Sequence, residues 1–412
     1  MTSPTNLSRR RMLLTTGSAI TFAGMGGLAH ADMGEEAEAK KAAEAAKSKD
    51  KSFPDYAAWK DQDSMILHSS NTIETKRGAF GQSGITPVNR LYVRNNVNPP
   101  SEDIVKDPDA WTVEFEGVDS PVSLSVADLK NLGVDSVPMV LQCAGNGRGW
   151  FPHEPSGTQW ETGAAGCVVF TGVPVRKVIE HLGGVADGME YMTSTGGEEI
   201  PEGLDRDTIV VERSVPASAA DEAILAWEIN GEPLPLAHGG PLRMIIPGYI
   251  GINNIKYVKK VEFAKEQSSA KIQQNSYRWS PVGEKGTPEH DSIWESPPKS
   301  WINSPADPDE TIKAGKVLIT GVAMGGMTPA KKIEVSTNGG KDWEEAEFVG
   351  TDLGPYAWRE FAYQADLEAG THELVCRTTS EDGETQPEER RENNRGYLNN
   401  SWRDHGVKVT VS

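Results

Sequence analysis

The 412-residue chain is acidic: 60 Asp and Glu against 41 Lys and Arg leave a formal charge of −19. That length accommodates two or three domains, and 37% hydrophobic with 25% charged residues fits a globular class with sizeable cores. The charge balance argues against a nucleic-acid partner. Beyond the N-terminus no uncharged apolar run approaches the ~20 residues of a membrane span.

The N-terminus reads LSRRRMLLTTGSAITFAGMGGLAHA, with Arg9, Arg10 and Arg11 ahead of a thinly apolar stretch and an Ala29-His30-Ala31 cleavage signal. Residues 1–31 are expected to be a twin-arginine signal peptide that exports the folded protein to the periplasm. Its removal takes three arginines and no acids, moving the formal charge from −19 to −22. The tract EEAEAKKAAEAAKSKDK has helix propensity but no sustained apolar face, and Ser, Gly and polar residues follow. Residues 32–84 are therefore expected to form a tether and an irregular segment.

From about 85 to 297 strand-like and helix-like pieces are mixed. WTVEFEGV, VPMVLQC, GCVVF, TIVVERSV, ILAWEING, LRMIIPG and IKYVKKVEFA read as strands. SVADLKNL reads as a helix with Ser125 as N-cap, and PVRKVIEHLGG as one opened by Pro174 and closed by Gly183. Strands and helices do not alternate regularly, which predicts an α+β domain with mixed sheets. Past the Pro-rich ESPPKSWINSPADPDE, segments such as GKVLITGVAM and THELVCRTTS alternate apolar and polar residues without helical interruption. Residues 298–412 are thus expected to form an immunoglobulin-like β-sandwich.

Three cysteines, Cys143, Cys167 and Cys376, make neither a disulfide framework nor a haem-attachment motif. Cys167 and Cys376 sit in apolar strand-like runs and read as small buried hydrophobes. Cys143 differs. In VLQCAGNGRGW it ends a strand candidate and is followed by Gly145, Gly147 and Gly149, which would let a bulky ligand approach the backbone. A dinucleotide loop is excluded because the spacing is G-x-G-x-G and Phe151-Pro152 follows in place of a helix. A structural Cys, a metal thiolate and a nucleophile all remain open on these residues alone.

Several segments together resemble the sulfite oxidase family of molybdenum enzymes. LQCAGNGR resembles its cofactor-binding segment, LYVRNN its F-x-R-N-H segment, and WETGA its W-x-T-G-A. NGEPLPLAHGGPLRMIIPGYIGINNIK follows the family's pterin-binding pattern, and NNRGYLNNSW resembles a C-terminal N-x-R-G-x-x-x-N-x-W. The resemblance implies a sulfite-oxidase-type molybdopterin domain ahead of the sandwich, with a single-pterin molybdenum cofactor and Cys143 as the molybdenum ligand. It implies Asn95, Asn96, His238, Arg243 and Lys256 as cofactor contacts. It places Arg94, Arg148, Trp160, Tyr277 and Arg395 around the substrate. The family's His after R-N is Asn96 here, and Gly147 stands where a second Arg is common.

The implied activity is sulfite oxidation to sulfate by oxygen-atom transfer. With no haem expected in this chain, electrons would pass to a separate c-type cytochrome, and the C-terminal domain suggests a homodimer. The alternative is the sulfane dehydrogenase subunit of the thiosulfate-oxidising system, acting on a carrier-bound persulfide. Its Cys segment reads more like E-C-S-G-N. A related methionine sulfoxide reductase and a metal-free anion-binding module are less well matched.

Overall fold

The computed structural model describes residues 52–412 except 82, 201 and 308–310. The signal-peptide expectation and the Ala/Glu/Lys tract lie outside the described residues. Two five-stranded sheets and one three-stranded sheet make the α+β part, and two further sheets make the C-terminal part.

The first large sheet places Ala165–Pro174 between Asp135–Gln142 and Ile224–Ile229, both antiparallel to it. Phe170 and Val168 on that central strand are fully buried, as a strand covered on both faces requires. The second has the order Val122–Ser125, Thr112–Glu116, Val258–Ala264, Tyr191–Gly196, Glu212–Pro216, with one parallel pair between 112–116 and 258–264. Thr112–Glu116 alternates exposed and buried residues, sending Val113 and Phe115 into the core with Val261 and Phe263. Ser125 caps Val126–Lys130 with a capping box to Asp128. Gly183, at φ +91°, ends Val175–His181 in the left-handed conformation that glycine adopts freely.

TIVVERSV departs from the expectation, because Arg206–Ile209 forms a helical turn before the strand Glu212–Pro216 begins. The Asp205 carboxylate accepts the Thr208 N–H at 3.0 Å, and that cap outweighs the β-branched character of Thr208 and Ile209.

The stretch expected to be irregular before residue 85 is also more ordered than its composition suggests. Met65–Ser69 and Thr72–Thr75 form a hairpin, and Val93–Arg94 adds as a third strand. Met65, Leu67 and Ile73 turn inward and pack with Val93 and Ala237, so this hairpin covers the domain that carries the site.

From Lys299 the chain forms two sheets, 299–304/315–324/359–367/347–349 and 311–312/407–411/370–380/330–336/344–345. Their facing residues, among them Ile319, Ile333, Phe361, Cys376 and Val409, make a common core, the expected sandwich. Cys376 is buried there and Cys167 in the central strand of the first sheet, and burial pushes both thiols up to about 12. Both act as core hydrophobes.

Candidate active site

The strand Asp135–Gln142 ends at Cys143, whose N–H donates to Ala164 O at 2.9 Å. The chain then turns, with Asn146 N–H donating to Cys143 O at 3.0 Å and Arg148 N–H to Gly145 O at 2.9 Å. The glycines here serve the protein's own groups more than a ligand. A Cβ on Gly145 would meet the Arg148 guanidinium at 2.5 Å. One on Gly147, at φ +93°, would meet Asn399 Cβ at 2.9 Å. An arginine at 147 would therefore clash with the C-terminal domain.

That domain grips the loop directly. Leu398 N–H donates to Ala144 O at 2.7 Å, Asn399 Nδ2 to Gly147 O at 2.9 Å, and buried Lys299 Nζ to Asn146 O at 3.1 Å. Burial pulls the Lys299 amine down to about 7, partly offset by Asp404. An unfolded lysine keeps its proton to about 10.4. Above about 7 the unfolded chain thus binds the extra proton, and stability is expected to rise with pH up to about 10. Thermal melts of Lys299→Met should lose that part of the rise, and an unchanged slope would contradict the assignment.

Cys143 opens on a cleft of about 620 Å³ of free space lined also by Arg94, Asn95, Asn96, His238, Arg243, Lys256 and Tyr277. Eight of the eleven residues singled out from the sequence thus share one cavity wall. Lys256 Nζ donates to Asn95 Oδ1 and Ala237 O, each at 2.6 Å. Burial, then the charges of Arg243 and Arg94, hold its amine well below the ordinary lysine range. Arg243 Nε donates to Asn254 O at 3.1 Å and Nη1 to His238 O at 2.9 Å; burial lowers it only to about 10, so it stays cationic at neutrality.

His238 is fully buried, and burial with the Lys60 charge holds it well below the ordinary histidine range. The neutral ring accepts from Lys60 Nζ at 2.6 Å through Nε2. Lys60 comes from the N-terminal segment and also donates to Val88 O and Leu91 O. Asn96, in place of the expected His, accepts from Arg94 Nη2 at 2.5 Å and so orients that guanidinium.

Trp160, Arg148 and Arg395 do not line this cleft. Trp160 is fully buried behind Tyr92 (ring centroids 6.3 Å) and beside His68 (5.1 Å), and its Nε1 meets no acceptor. Buried Glu74 holds its loop by accepting the Glu161 and Gly163 N–H groups at 2.8 and 2.9 Å. Arg148 Nε and Nη1 are committed to Arg395 O and Thr158 O at 2.8 and 3.0 Å. Arg395 Nη1 donates to Ser156 Oγ at 2.8 Å.

Tyr277 does reach the cleft. It stacks on Tyr397 at 5.0 Å, lies 5.5 Å from the buried Arg213 guanidinium, and is pushed up to about 12 by burial. Its hydroxyl is therefore a donor at neutral pH.

Sequence reasoning missed Lys60, Tyr92, Glu198, Arg213 and Tyr397. Tyr92 and Tyr397 lie inside motifs already quoted, whereas nothing local marks Lys60. Glu198 also lines the cleft; burial pushes its carboxyl up to about 7, and its Oε2 meets no hydrogen-bond partner.

The donor set fits an anionic metal-containing cofactor. Arg94, Arg243 and Lys256 line the cleft, Lys60 stands behind His238, and Glu198 is the one carboxylate lining it among the described residues. Buried cations without counter-charges are costly and call for a bound anion. Among the described residues no group of three or more His, Cys, Asp or Glu is placed to hold a metal. A metal at Cys143 would take its other ligands from the cofactor.

Comparisons with known proteins agree with this chemistry. Residues 100–272 match the family described as "Oxidoreductase molybdopterin binding domain" and 290–412 the "Mo-co oxidoreductase dimerisation domain". The mitochondrial sulfite oxidases of Homo sapiens and Rattus norvegicus are each 33% identical, over 350 and 352 residues and 80% of this chain. The chain spans 62% of the length of those relatives. Among solved structures, the sulfane dehydrogenase SoxCD from Paracoccus pantotrophus shares the fold. Its TM-score is 0.67 at 22% identity, covering 84% of this chain and 88% of that one.

Proposed function

Because the chain belongs to the sulfite-oxidase superfamily of molybdopterin oxidoreductases, we propose that it is a periplasmic dehydrogenase of reduced sulfur compounds. In this reading it is exported folded by the twin-arginine route and delivers electrons singly to a c-type cytochrome. The observation that carries it is one half-buried thiol, Cys143, in a cleft walled by Arg94, Arg243 and Lys256 with Tyr277 beside it.

Cys143 would hold the molybdenum, and Lys256, Arg243, His238 and Asn95 would hold the pterin phosphate. When bound, the group supplies oxygen-atom transfer to sulfur and accepts the electron pair. Arg94, oriented by Asn96, and the protonated Tyr277 donate to the substrate's oxygens or anionic sulfur. Neutral His238 adds no charge of its own, so Arg243 carries the electrostatic attraction, joined by Lys256 once a bound anion offsets the burial that lowers its proton affinity. Glu198, with its carboxyl pushed up to about 7, is able to hold a proton released from water at neutral pH.

Two substrates are in view. The sulfane sulfur of a carrier-bound persulfide is favoured by the arginines. Of the three arginines expected around the substrate only Arg94 lines the cleft, while the Arg148 guanidinium donates to the Arg395 and Thr158 carbonyls and that of Arg395 to Ser156. A tethered terminal sulfur bears at most one charge and is positioned by its carrier, so it requires fewer cationic donors than free dianionic sulfite. Sulfite is the second reading, favoured by the 33% identity to sulfite oxidases.

Purified protein should be assayed with sulfite, thiosulfate and a protein persulfide, using ferricyanide as acceptor. The persulfide is expected to show kcat/KM at least about tenfold above sulfite, ~1.4 kcal/mol of transition-state discrimination. The reverse order would establish the sulfite reading, and no turnover with any of the three would sink the function.

A further inference from the structure

A groove with about 1510 Å³ of free space, open to solvent, runs where the catalytic domain meets the sandwich. Trp279, Trp294, Met327 and Leu398 give it a half-buried apolar floor. Its rim carries exposed Glu295, Asp382, Glu384 and Glu389 against Arg390 and Arg391. Arg390 is engaged by Asp404 and Glu392 at 2.7 and 2.8 Å, and Arg391 lies over the Trp279 ring at 4.0 Å. The rim therefore presents net negative charge around apolar surface, the pattern of an interface with a basic partner.

The groove also backs directly on the site. Leu398 lines it, and its N–H donates to the carbonyl of Ala144, the residue after Cys143, at 2.7 Å. Tyr397, one residue earlier, stacks on Tyr277. A single hydrogen bond thus separates backbone lining the groove from backbone carrying the thiol.

We propose that this groove docks a basic one-electron carrier protein, and that electrons leave the Cys143 centre through the Leu398–Ala144 hydrogen bond. The proposal rests on the reading that the acceptor is a separate protein. Each oxygen added to sulfur comes from one water and releases two protons and two electrons. The protons go to solvent, and two oxidised carriers dock in turn, each reduced by one electron.

Binding tests docking independently of turnover. Affinity of the full chain for a basic ferricytochrome c should be measured at low ionic strength by calorimetry. Glu295→Lys with Glu384→Lys is expected to weaken binding at least about tenfold. The control pair Glu345→Lys with Glu347→Lys makes the same change in net charge on exposed strands away from the groove, and is expected to change binding less than about twofold. Equal weakening by both pairs, or none by the groove pair, would overturn the proposal. The groove pair should also keep ferricyanide turnover while losing cytochrome reduction, and equal loss of both would count against docking. A wild-type protein that fails with ferricyanide would defeat the functional reading instead, leaving the binding comparison to decide the groove.

Discussion

Cys143→Ser is expected to lower sulfur-dependent turnover by at least about a thousandfold, ~4 kcal/mol in the activation barrier. Serine is nearly isosteric, and the contacts that shape the loop are made by backbone: Cys143 N–H to Ala164 O and Asn146 N–H to Cys143 O. The fold and melting temperature should therefore persist. What is lost is the soft thiolate, for which a hydroxyl at neutral pH is no substitute as a ligand to a soft, high-valent metal. Steady-state kinetics with ferricyanide alongside a thermal melt check this. Turnover within tenfold of wild type would remove Cys143 from the chemistry.

Lys256→Met should act with opposite signs on the cofactor-free and loaded proteins. In the cofactor-free chain the buried amine costs desolvation, shown by its lowered affinity for a proton, so methionine is expected to raise the melting temperature. With the anionic cofactor bound, that amine is the partner of a buried charge, and its removal is expected to cost about 2 kcal/mol, or roughly thirtyfold faster cofactor release. Melts of the cofactor-free pair and pterin fluorescence after dialysis of the loaded pair measure the two halves. A destabilised cofactor-free variant with unchanged cofactor retention would make Lys256 an ordinary structural lysine.

Much of the α+β domain was legible because its signals are local. Ser125 and Asp128 form the capping box that their spacing suggests, and Val113 and Phe115 alternate inward as a half-buried strand should. The N-terminal hairpin was legible only in retrospect. MILHS and TIET are short, and Thr75 and Glu74 are polar residues buried against partners outside the hairpin, the Arg90 carbonyl and the Glu161 N–H. Lys60 is harder still, since its role depends on His238, 178 positions away.

The substrate arginines show the opposite limit. Motif spacing places Arg148 and Arg395 near the loop, and the structure does link them, through Arg148 Nε and Arg395 O. Spacing cannot say that their guanidiniums turn to Thr158 and Ser156. Nor does the run of glycines reveal that the room at 145 and 147 is taken by Arg148 and Asn399.

Cys143 and the cation-lined cleft are expected to hold a molybdenum-pterin centre. Elemental analysis of the protein purified from its native host tests it most directly. Molybdenum is expected in about equimolar amount with the chain, and is expected to be lost in Cys143→Ser while the fold persists. Wild-type protein free of molybdenum yet turning over reduced sulfur would contradict it.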